Sequence, residues 1–470
     1  MSTPLTDDPR AGPPGRLSLK TILPFALVGL PTNALTIAVF VYLPPYFAGH
    51  LGVGMTVVGA VWMIVRLVDV PVDVMLAVMM DRTRTPIGRY RFWMILGAPL
   101  LMAALYKLFM APYGFGALYL VAWLLVMYLG QSIVALSHSA WAATLADRYH
   151  ERSRLFGILA AVGVVGALSV LLIPILGKSF WRSDAQSVRT MGWAIIALIP
   201  ITIGVATLRT PERVAPDVRT GRFALKDYWR VLTKPDLMRL FAAQVALTLG
   251  PGWMSAMYLF FFKDSRGFNT RQASILLALY ILAGLPGALA TAALAQRIGK
   301  HRTLMVTTTA FSLGLCTVLI VPKGDMLASM PTMLWCGAMA AGFGLMIRAM
   351  LADVGDEVRL VQGKQRISLL YAVNGLAEKI AAAFAIGLTF PLLAALGYKA
   401  AEGAVNTPAA INQLTVAFIV GPIVFVMLGG ACVIGWRLGA QRQGEIRAAL
   451  EARDAALEAG EGRTGGLGRP

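Results

Sequence analysis

Three charged residues stand in an otherwise apolar stretch, and their spacing gives them a common chemistry. Arg66, Asp69 and Asp73 are spaced so that all three lie on one face of an α-helix. Within a bilayer each charge costs roughly 2.5–3.5 kcal/mol, so three that face lipid would cost on the order of 7–10 kcal/mol. These side chains must therefore face protein or a water-filled interior.

Two carboxylates beside one arginine leave one negative charge for a cation. Asp69 and Asp73 can hold Na⁺ or a proton, and Pro71 between them frees a backbone carbonyl as a further ligand. We predict that Asp69 and Asp73 form a cation site and that Arg66 belongs to its charge network. The alternative is a buried ion-pair network that only holds helices together.

A second group of polar residues lies in a later apolar stretch, which runs from Tyr371 to Lys379. Lys379 needs an anionic partner in such a place, and Asp69 or Asp73 is the expected one. We assign Glu378 to the charge network, either paired with a nearby cation or lying closer to the membrane interface.

Isolated polar and aromatic residues in the apolar stretches predict a substrate site near the middle of the membrane. His138 has two interpretations, contact with a ligand or hydrogen-bonded packing, and Gln244 is a weaker candidate of the same kind. The predicted substrate-binding residues are Asn33, Ser137, His138, Trp141, Asn374 and Lys379.

The composition shows which elements must position these residues. The chain of 470 residues is 57% hydrophobic and only 14% charged, whereas a soluble domain carries about 25% charged residues. Apolar stretches of about 20 residues each predict an all-α membrane protein with about 12 transmembrane helices. The predicted spans are 21–45, 54–79, 92–111, 116–143, 154–176, 191–208, 237–262, 272–294, 303–322, 330–350, 367–395 and 414–436.

Basic residues are concentrated in alternate loops between these spans. The net charge is +18, but the basic residues form no continuous stripe, so nucleic acid is not an expected partner. The positive-inside rule makes the basic side cytoplasmic, with both termini there and the bilayer of a bacterial inner membrane around the spans. The basic loops hold Arg82, Arg84, Arg89, Arg91, Arg148, Arg152, Arg154, Arg297, Lys300, Arg302, Arg359, Lys364 and Arg366.

The polar stretch Thr210–Pro235 divides the chain into two sets of six spans. Similar basic loops follow the second span of each set, which indicates two pseudo-symmetric bundles around a site at the midplane. The predicted divisions are a cytoplasmic tail (1–20), an N-terminal six-helix bundle (21–208), a cytoplasmic linker (209–236), a C-terminal six-helix bundle (237–436) and a cytoplasmic tail (437–470). The predicted gating residues, in the first basic loop, are Asp81, Arg82, Arg89 and Arg91.

Motifs of soluble enzymes are missing from the sequence, which has no P-loop, G-x-S-x-G, H-E-x-x-H or C-x-x-C pattern. The three cysteines lie in apolar spans and indicate neither a disulfide framework nor a metal site. We therefore expect a protein that is not an enzyme and needs no cofactor, with no metal beyond a Na⁺ at Asp69 and Asp73.

The charged motifs resemble those of a known family. Arg66-x-x-Asp69-x-x-x-Asp73, followed by the loop from Asp81 to Arg91, resembles the signature of the glycoside–pentoside–hexuronide:cation symporters, the melibiose permease-like branch of the major facilitator superfamily. A second similarity runs from Asp353 to Lys379, and the resemblance covers residues 20–440. It implies a cation-coupled symporter that works by alternating access, with Asp69 and Asp73 as cation ligands and Trp141 stacked on a sugar.

The departures from this family concern the substrate and the ion. The two sugar-binding carboxylates of melibiose permease align with Asn33 and Ser137 of this sequence. Its helix-five arginine aligns with Val162, and two side chains of its sodium site align with Val72 and Val134. A proton needs only one carboxylate, so we favour H⁺ over Na⁺. The leading substrate of this expected monomer is a sugar or glycoside. One alternative is an anionic amphipathic or lysolipid-like solute, since the fold and the aspartates of the second span also resemble those of vertebrate sodium-dependent lysophospholipid symporters. The other is a membrane sensor or scaffold that does not transport.

Overall fold

A computed structural model describes residues 18–145, 149–177, 183–212, 234–362 and 367–464. Within these ranges the secondary structure is helical and contains no strand. The predicted linker 209–236 and the basic loop at 363–366 lie largely or wholly outside the described residues, as does the tail before Ser18.

Twelve long helices follow one another, and a thirteenth helix ends the described chain. They are α1 (Leu19–His50), α2 (Met55–Arg82), α3 (Arg89–Phe109), α4 (Ala117–Leu145), α5 (Tyr149–Leu176), α6 (Asp184–Arg209), α7 (Pro235–Ser265), α8 (Thr270–Ile298), α9 (Lys300–Leu319), α10 (Met326–Gln362), α11 (Ile367–Ala395), α12 (Pro408–Ala431) and α13 (Ala440–Thr464).

Eleven of the first twelve helices are long and apolar enough to cross a membrane. The twelfth is α2, which has 28 residues and carries Arg66, Asp69 and Asp73. At 1.5 Å per residue it is about 42 Å long, more than the roughly 30 Å of a bilayer core. The prediction of an all-helical membrane fold with about 12 spans is confirmed.

The sequence misplaced several helix ends because hydropathy does not report capping. The sixth span was expected to begin at 191, but α6 begins at Asp184, where the Ser183 side chain accepts a hydrogen bond from the Gln186 amide. The twelfth was expected over 414–436, but α12 runs from Pro408 to Ala431 after a Thr407 cap. The tenth was expected to end at 350, but α10 continues to Gln362. The eleventh helix has the predicted bounds.

Several helix pairs join the N-terminal half (α1–α6) to the C-terminal half (α7–α12). Helix α2 packs against α11, α5 packs against α8, and α1 packs against α7. At the α2–α11 crossing a Cβ on Gly59 would lie 2.7 Å from Pro391 Cδ, and a Cβ on Gly387 would lie 2.6 Å from Met63 Cβ. Small residues of this kind let membrane helices approach closely. This close crossing brings the charged face of α2 next to α11.

The halves also meet at one end of the bundle, which we call the far face. The opposite end, where α6 ends, α7 begins and α13 lies, is called the linker face. His50 Nδ1 lies 2.8 Å from Glu402 Oε2, and Lys263 Nζ lies 2.8 Å from Asp184 Oδ2. The Thr270 hydroxyl also donates to Asp184, at 2.7 Å. These links, all between α1 or α6 and the C-terminal half, close the far face.

The crossing at Gly59 gives a test of this packing. We expect Gly59→Ala to lower the free energy of unfolding by about 1–3 kcal/mol, because the added methyl group overpacks the contact with α11. The measurement is the thermal unfolding midpoint of the purified protein.

Gly157→Ala on α5 is the matched control, because a Cβ there meets nothing within 4 Å. It should leave the midpoint unchanged or slightly raised, since alanine favours helix. Equal midpoints for the two variants would contradict the close α2–α11 crossing.

Candidate functional site

The charged face of α2 meets Lys379 of α11 in the interior. Lys379 Nζ lies 2.8 Å from Asp69 Oδ2 and also donates to Asp73 Oδ2. One cation of the C-terminal half thus bridges two carboxylates of the N-terminal half. The ion pair that the sequence predicted for Lys379 is present, and both aspartates take part in it.

Asp69 is the most enclosed member of this carboxylate cluster, with 3% of its surface exposed. Its Oδ2 accepts a bond from Arg66 Nη1 at 3.3 Å, and its Oδ1 accepts one from the Ser132 hydroxyl at 3.0 Å. Asp73 is less satisfied, because its Oδ1 is buried without a hydrogen-bond partner among the described residues.

The charges of the cluster balance in this conformation. The sequence interpretation set two carboxylates against Arg66 alone and left one negative charge over. Lys379 supplies the second positive charge, so Asp69 and Asp73 face two cations. An incoming cation must therefore compete with Lys379 for the same oxygens.

Aromatic rings hold Arg66 in place. Its guanidinium carbon lies 4.6 Å from the centre of the Tyr128 ring and 5.6 Å from that of Phe40, a cation–π arrangement with both rings. Sequence reasoning missed Phe40, Tyr128 and Ser132. Tyr128 and Ser132 are one helical turn apart in α4, a polar pair on one face that could have identified them.

Val72 and Val134, which align with two sodium-site side chains of melibiose permease, offer no side-chain oxygen to an ion. Val134 lies against α3, where a Cβ on Gly97 would be 3.2 Å from its Cγ2. Ser132, two residues earlier, supplies a side-chain oxygen to Asp69 instead. Among the described residues no group of three or more His, Cys, Asp or Glu could hold a metal ion.

Three of the predicted substrate residues are engaged in packing on α4. Ser137 is fully buried against Met80, and His138 Nε2 lies 2.9 Å from the Phe25 carbonyl oxygen. Trp141 is also fully buried, and its Nε1 donates to the Pro211 carbonyl at 3.3 Å. The structure does not bring these three side chains to the carboxylate cluster, because their polar atoms are directed to neighbouring helices.

Asn33 has a different position. Its Nδ2 donates to the Gly29 carbonyl at 2.9 Å, and the residue is exposed. A Cβ added to Gly163 of α5 would lie 2.9 Å from Asn33 Nδ2, so the Asn33 side chain lies beside α5.

The remaining predicted residues lie on α11, beside a cavity in the C-terminal half. Asn374 Nδ2 lies 3.5 Å from Glu378 Oε1, and Arg348 Nη2 lies 3.8 Å from the same oxygen. The nearby cation expected for Glu378 is thus Arg348 of α10. Glu378 lines a cavity of about 360 Å³ whose other walls include Gln244 and Tyr280.

The predicted gating loop is attached to the end of α6. The amides of Arg89, Tyr90 and Arg91 donate to the Glu212 carboxylate at 2.7, 2.9 and 3.2 Å. A carboxylate at the N-terminus of α3 satisfies free amides and complements the helix dipole. Asp81 and Arg82 are exposed. Their role in closing the linker face stays a prediction, and Glu212 was not foreseen.

Comparisons with known proteins agree with this architecture. The profile of a family described as MFS/sugar transport protein matches residues 24–439. The chain is 24% identical over 421 residues to the isoprimeverose transporter of Lactiplantibacillus pentosus, covering 84% of each chain. It is also 24% identical over 438 residues to a glucuronide carrier protein homolog of Escherichia coli (strain K12), covering 90% of this chain and 92% of the relative.

Solved structures share the fold. The crystal structure of the nucleoside transporter NupG superposes with a TM-score of 0.64 at 13% identity, covering 89% of this chain and 99% of the other. A bacterial homolog of the human lysosomal transporter Spinster gives 0.60 at 12% identity, covering 92% and 97%. The chain therefore belongs to the MFS/sugar transport protein family, of glycoside–pentoside–hexuronide type, and it is a multi-pass membrane transporter rather than an enzyme.

Proposed function

We propose that this transporter carries a sugar or glycoside together with a cation by alternating access, and that Asp69, Asp73 and Lys379 form its coupling site. The observation that carries this proposal is the bridge from Lys379 in one half to both carboxylates in the other. The names of the relatives, which refer to isoprimeverose and to a glucuronide, support a sugar as the substrate.

The bridge provides a physical route from ion binding to movement. A cation that binds Asp69 and Asp73 takes the oxygens that Lys379 occupies, and the unpartnered Asp73 Oδ1 offers the first contact. Loss of the bridge removes an attraction between α2 and α11. Ion binding thus changes the relative stability of the two arrangements of the halves, as coupling requires.

Weak contacts also join the two halves at the far face. The His50–Glu402 hydrogen bond and the Lys263–Asp184 ion pair join the halves in the present arrangement. Exposed pairs of this kind contribute about 0–1 kcal/mol each. They are weak enough to break when the far face opens and the linker face closes. We further propose that the linker face is cytoplasmic in a bacterial inner membrane, because described basic residues such as Arg89 and Lys300 lie there.

The ion that fits this site best is the proton. A hard metal cation takes several oxygen ligands, and the described cluster offers two carboxylates and the Ser132 hydroxyl. A proton needs one carboxylate oxygen with a like-charged neighbour. Na⁺ remains the alternative, with Ser132 and a carbonyl near Pro71 as additional ligands.

Removal of either carboxylate should uncouple transport. We expect Asp69→Asn or Asp73→Asn to abolish gradient-driven accumulation, because the cation loses one of its two charged ligands, while downhill exchange of substrate continues. The measurement is uptake of labelled isoprimeverose or lactose into proteoliposomes with and without an imposed gradient.

Asp325→Asn in the loop before α10 is the matched control. The Asp325 side chain accepts a bond from the Ala328 amide, and asparagine can cap a helix equally well. This variant should accumulate substrate as the wild type does. Full accumulation by both cluster variants would refute the coupling site.

The coupling ion can be identified in right-side-out vesicles. With one proton per substrate, a gradient of one pH unit should support about tenfold accumulation without sodium, since tenfold corresponds to about 1.4 kcal/mol. Membrane potential alone does not distinguish the ions, because each carries one charge. Accumulation that requires a sodium gradient and ignores the pH gradient would assign the site to Na⁺.

A further inference from the structure

The end of α1 and the loop between α11 and α12 meet across the far face. The last turn of α1, Tyr46–His50, is a π-helix, a rare form that occurs often at functional sites. The loop is folded by Asn406, whose side chain accepts from the Lys399 amide at 2.8 Å and donates to the Lys399 carbonyl at 2.9 Å. The Glu402 amide then donates to the Gly49 carbonyl at 3.0 Å. An ordered loop of the C-terminal half is thus tied to the N-terminal half.

His50 lies at the centre of this contact, and we call His50 and Glu402 the far-face latch. The His50 Nδ1 atom lies 2.8 Å from Glu402 Oε2, and Nε2 is hydrogen-bonded to the Tyr113 hydroxyl. The ring also stacks on Tyr46, with centroids 5.4 Å apart. A carboxylate only accepts, so Nδ1 donates to Glu402, while a hydroxyl can donate to Nε2 or accept from it. A second proton on the ring therefore changes the charge of the latch and keeps both bonds.

The charged groups around His50 leave Glu402 as its direct ionic partner. Asp184 and Lys263 pair with each other at 2.8 Å. Among the described residues, Glu402 is the carboxylate within ion-pair distance of the imidazole. The titratable and charged groups on the elements packed around His50 are Tyr46, Tyr113, Asp184, Arg189, Lys263, Asp264, Tyr398, Lys399 and Glu402.

We propose that His50 is a regulatory proton site, where a proton from the far side turns the His50–Glu402 hydrogen bond into an ion pair and holds the far face closed. An imidazole gains its charge between about pH 5 and pH 8. When the far face opens, His50 leaves Glu402, so the added attraction exists only in the closed arrangement. Low pH therefore favours the closed far face, and this preference is lost as the pH rises. The inference rests on the proposed alternating access.

The test is the distance between two spin labels across the far face, measured on the full chain in nanodiscs at about pH 5 and about pH 8. The labels are attached to cysteines introduced at Ala117, where α4 begins, and at Lys323, in the loop before α10. The three native cysteines are replaced by alanine in every sample. With the latch intact, the ratio of open to closed far faces should rise about two- to fivefold between the two pH values, as expected for an exposed ion pair.

Two variants remove the charge from the latch. Glu402→Gln keeps an acceptor for His50 without the negative charge, and His50→Asn keeps a donor without a titratable ring. Both should remove the rise. The variants lie in different halves, so one remains informative if the other does not fold. Protonation of the interior carboxylates Asp69 and Asp73 acts on all samples alike, so the difference from the intact latch isolates its contribution.

His301→Gln is the matched control, because His301 lies near the start of α9, at the linker face. It should keep the response of the intact latch. An unchanged response in both Glu402→Gln and His50→Asn would overturn the inference. A loss of closed far faces that is equal at both pH values would also overturn it, since the contact would then act without sensing protons. A single label distance in every sample, with or without sugar, would instead refute alternating access itself.

Discussion

The contact between Lys379 and the paired carboxylates Asp69 and Asp73 determines how the two halves of the molecule fit together. Charges within a membrane need partners, and here the partners come from different halves. The close crossing at Gly59 and Gly387 brings the two helices near enough for the contact to form. A single neutral cluster thus pairs charges across the interface and links the two halves.

The two halves divide the work of transport around α11. The N-terminal half contributes the carboxylates and Arg66, whose guanidinium lies within cation–π distance of two aromatic rings. The C-terminal half contributes Lys379 and the cavity that Gln244 and Glu378 line. Glu378 and Lys379 are adjacent on α11, so this helix connects the cavity to the ion pair between the halves.

The architecture and the charged cluster could be predicted from the sequence, because apolar length and charge spacing are local properties. The pairing of Lys379 with α2 followed from the rule that a buried charge needs a partner. Helix ends such as that of α6 could not be predicted from hydropathy, since Ser183 fixes the end by a side-chain cap. The resemblance predicts which positions could face a substrate but not the side-chain directions, and here the ring nitrogens of His138 and Trp141 lie at the carbonyl oxygens of Phe25 and Pro211. Their part in substrate binding stays a prediction. The cavity at Gln244 depends on four helices that are distant in sequence.

Competition between Lys379 and the coupling ion for the same oxygens can be measured as the cation affinity of the Lys379→Met variant. Titration with Na⁺ and titration with acid, each monitored by the intrinsic fluorescence of the protein, cover both candidate ions. We predict that the variant binds the coupling ion at least about tenfold more tightly than the wild type, a difference of about 1.4 kcal/mol. The reason is that loss of the Lys379 ammonium group frees both carboxylates and removes a positive charge that repels the incoming cation. Unchanged or weaker binding would contradict competition between Lys379 and the ion.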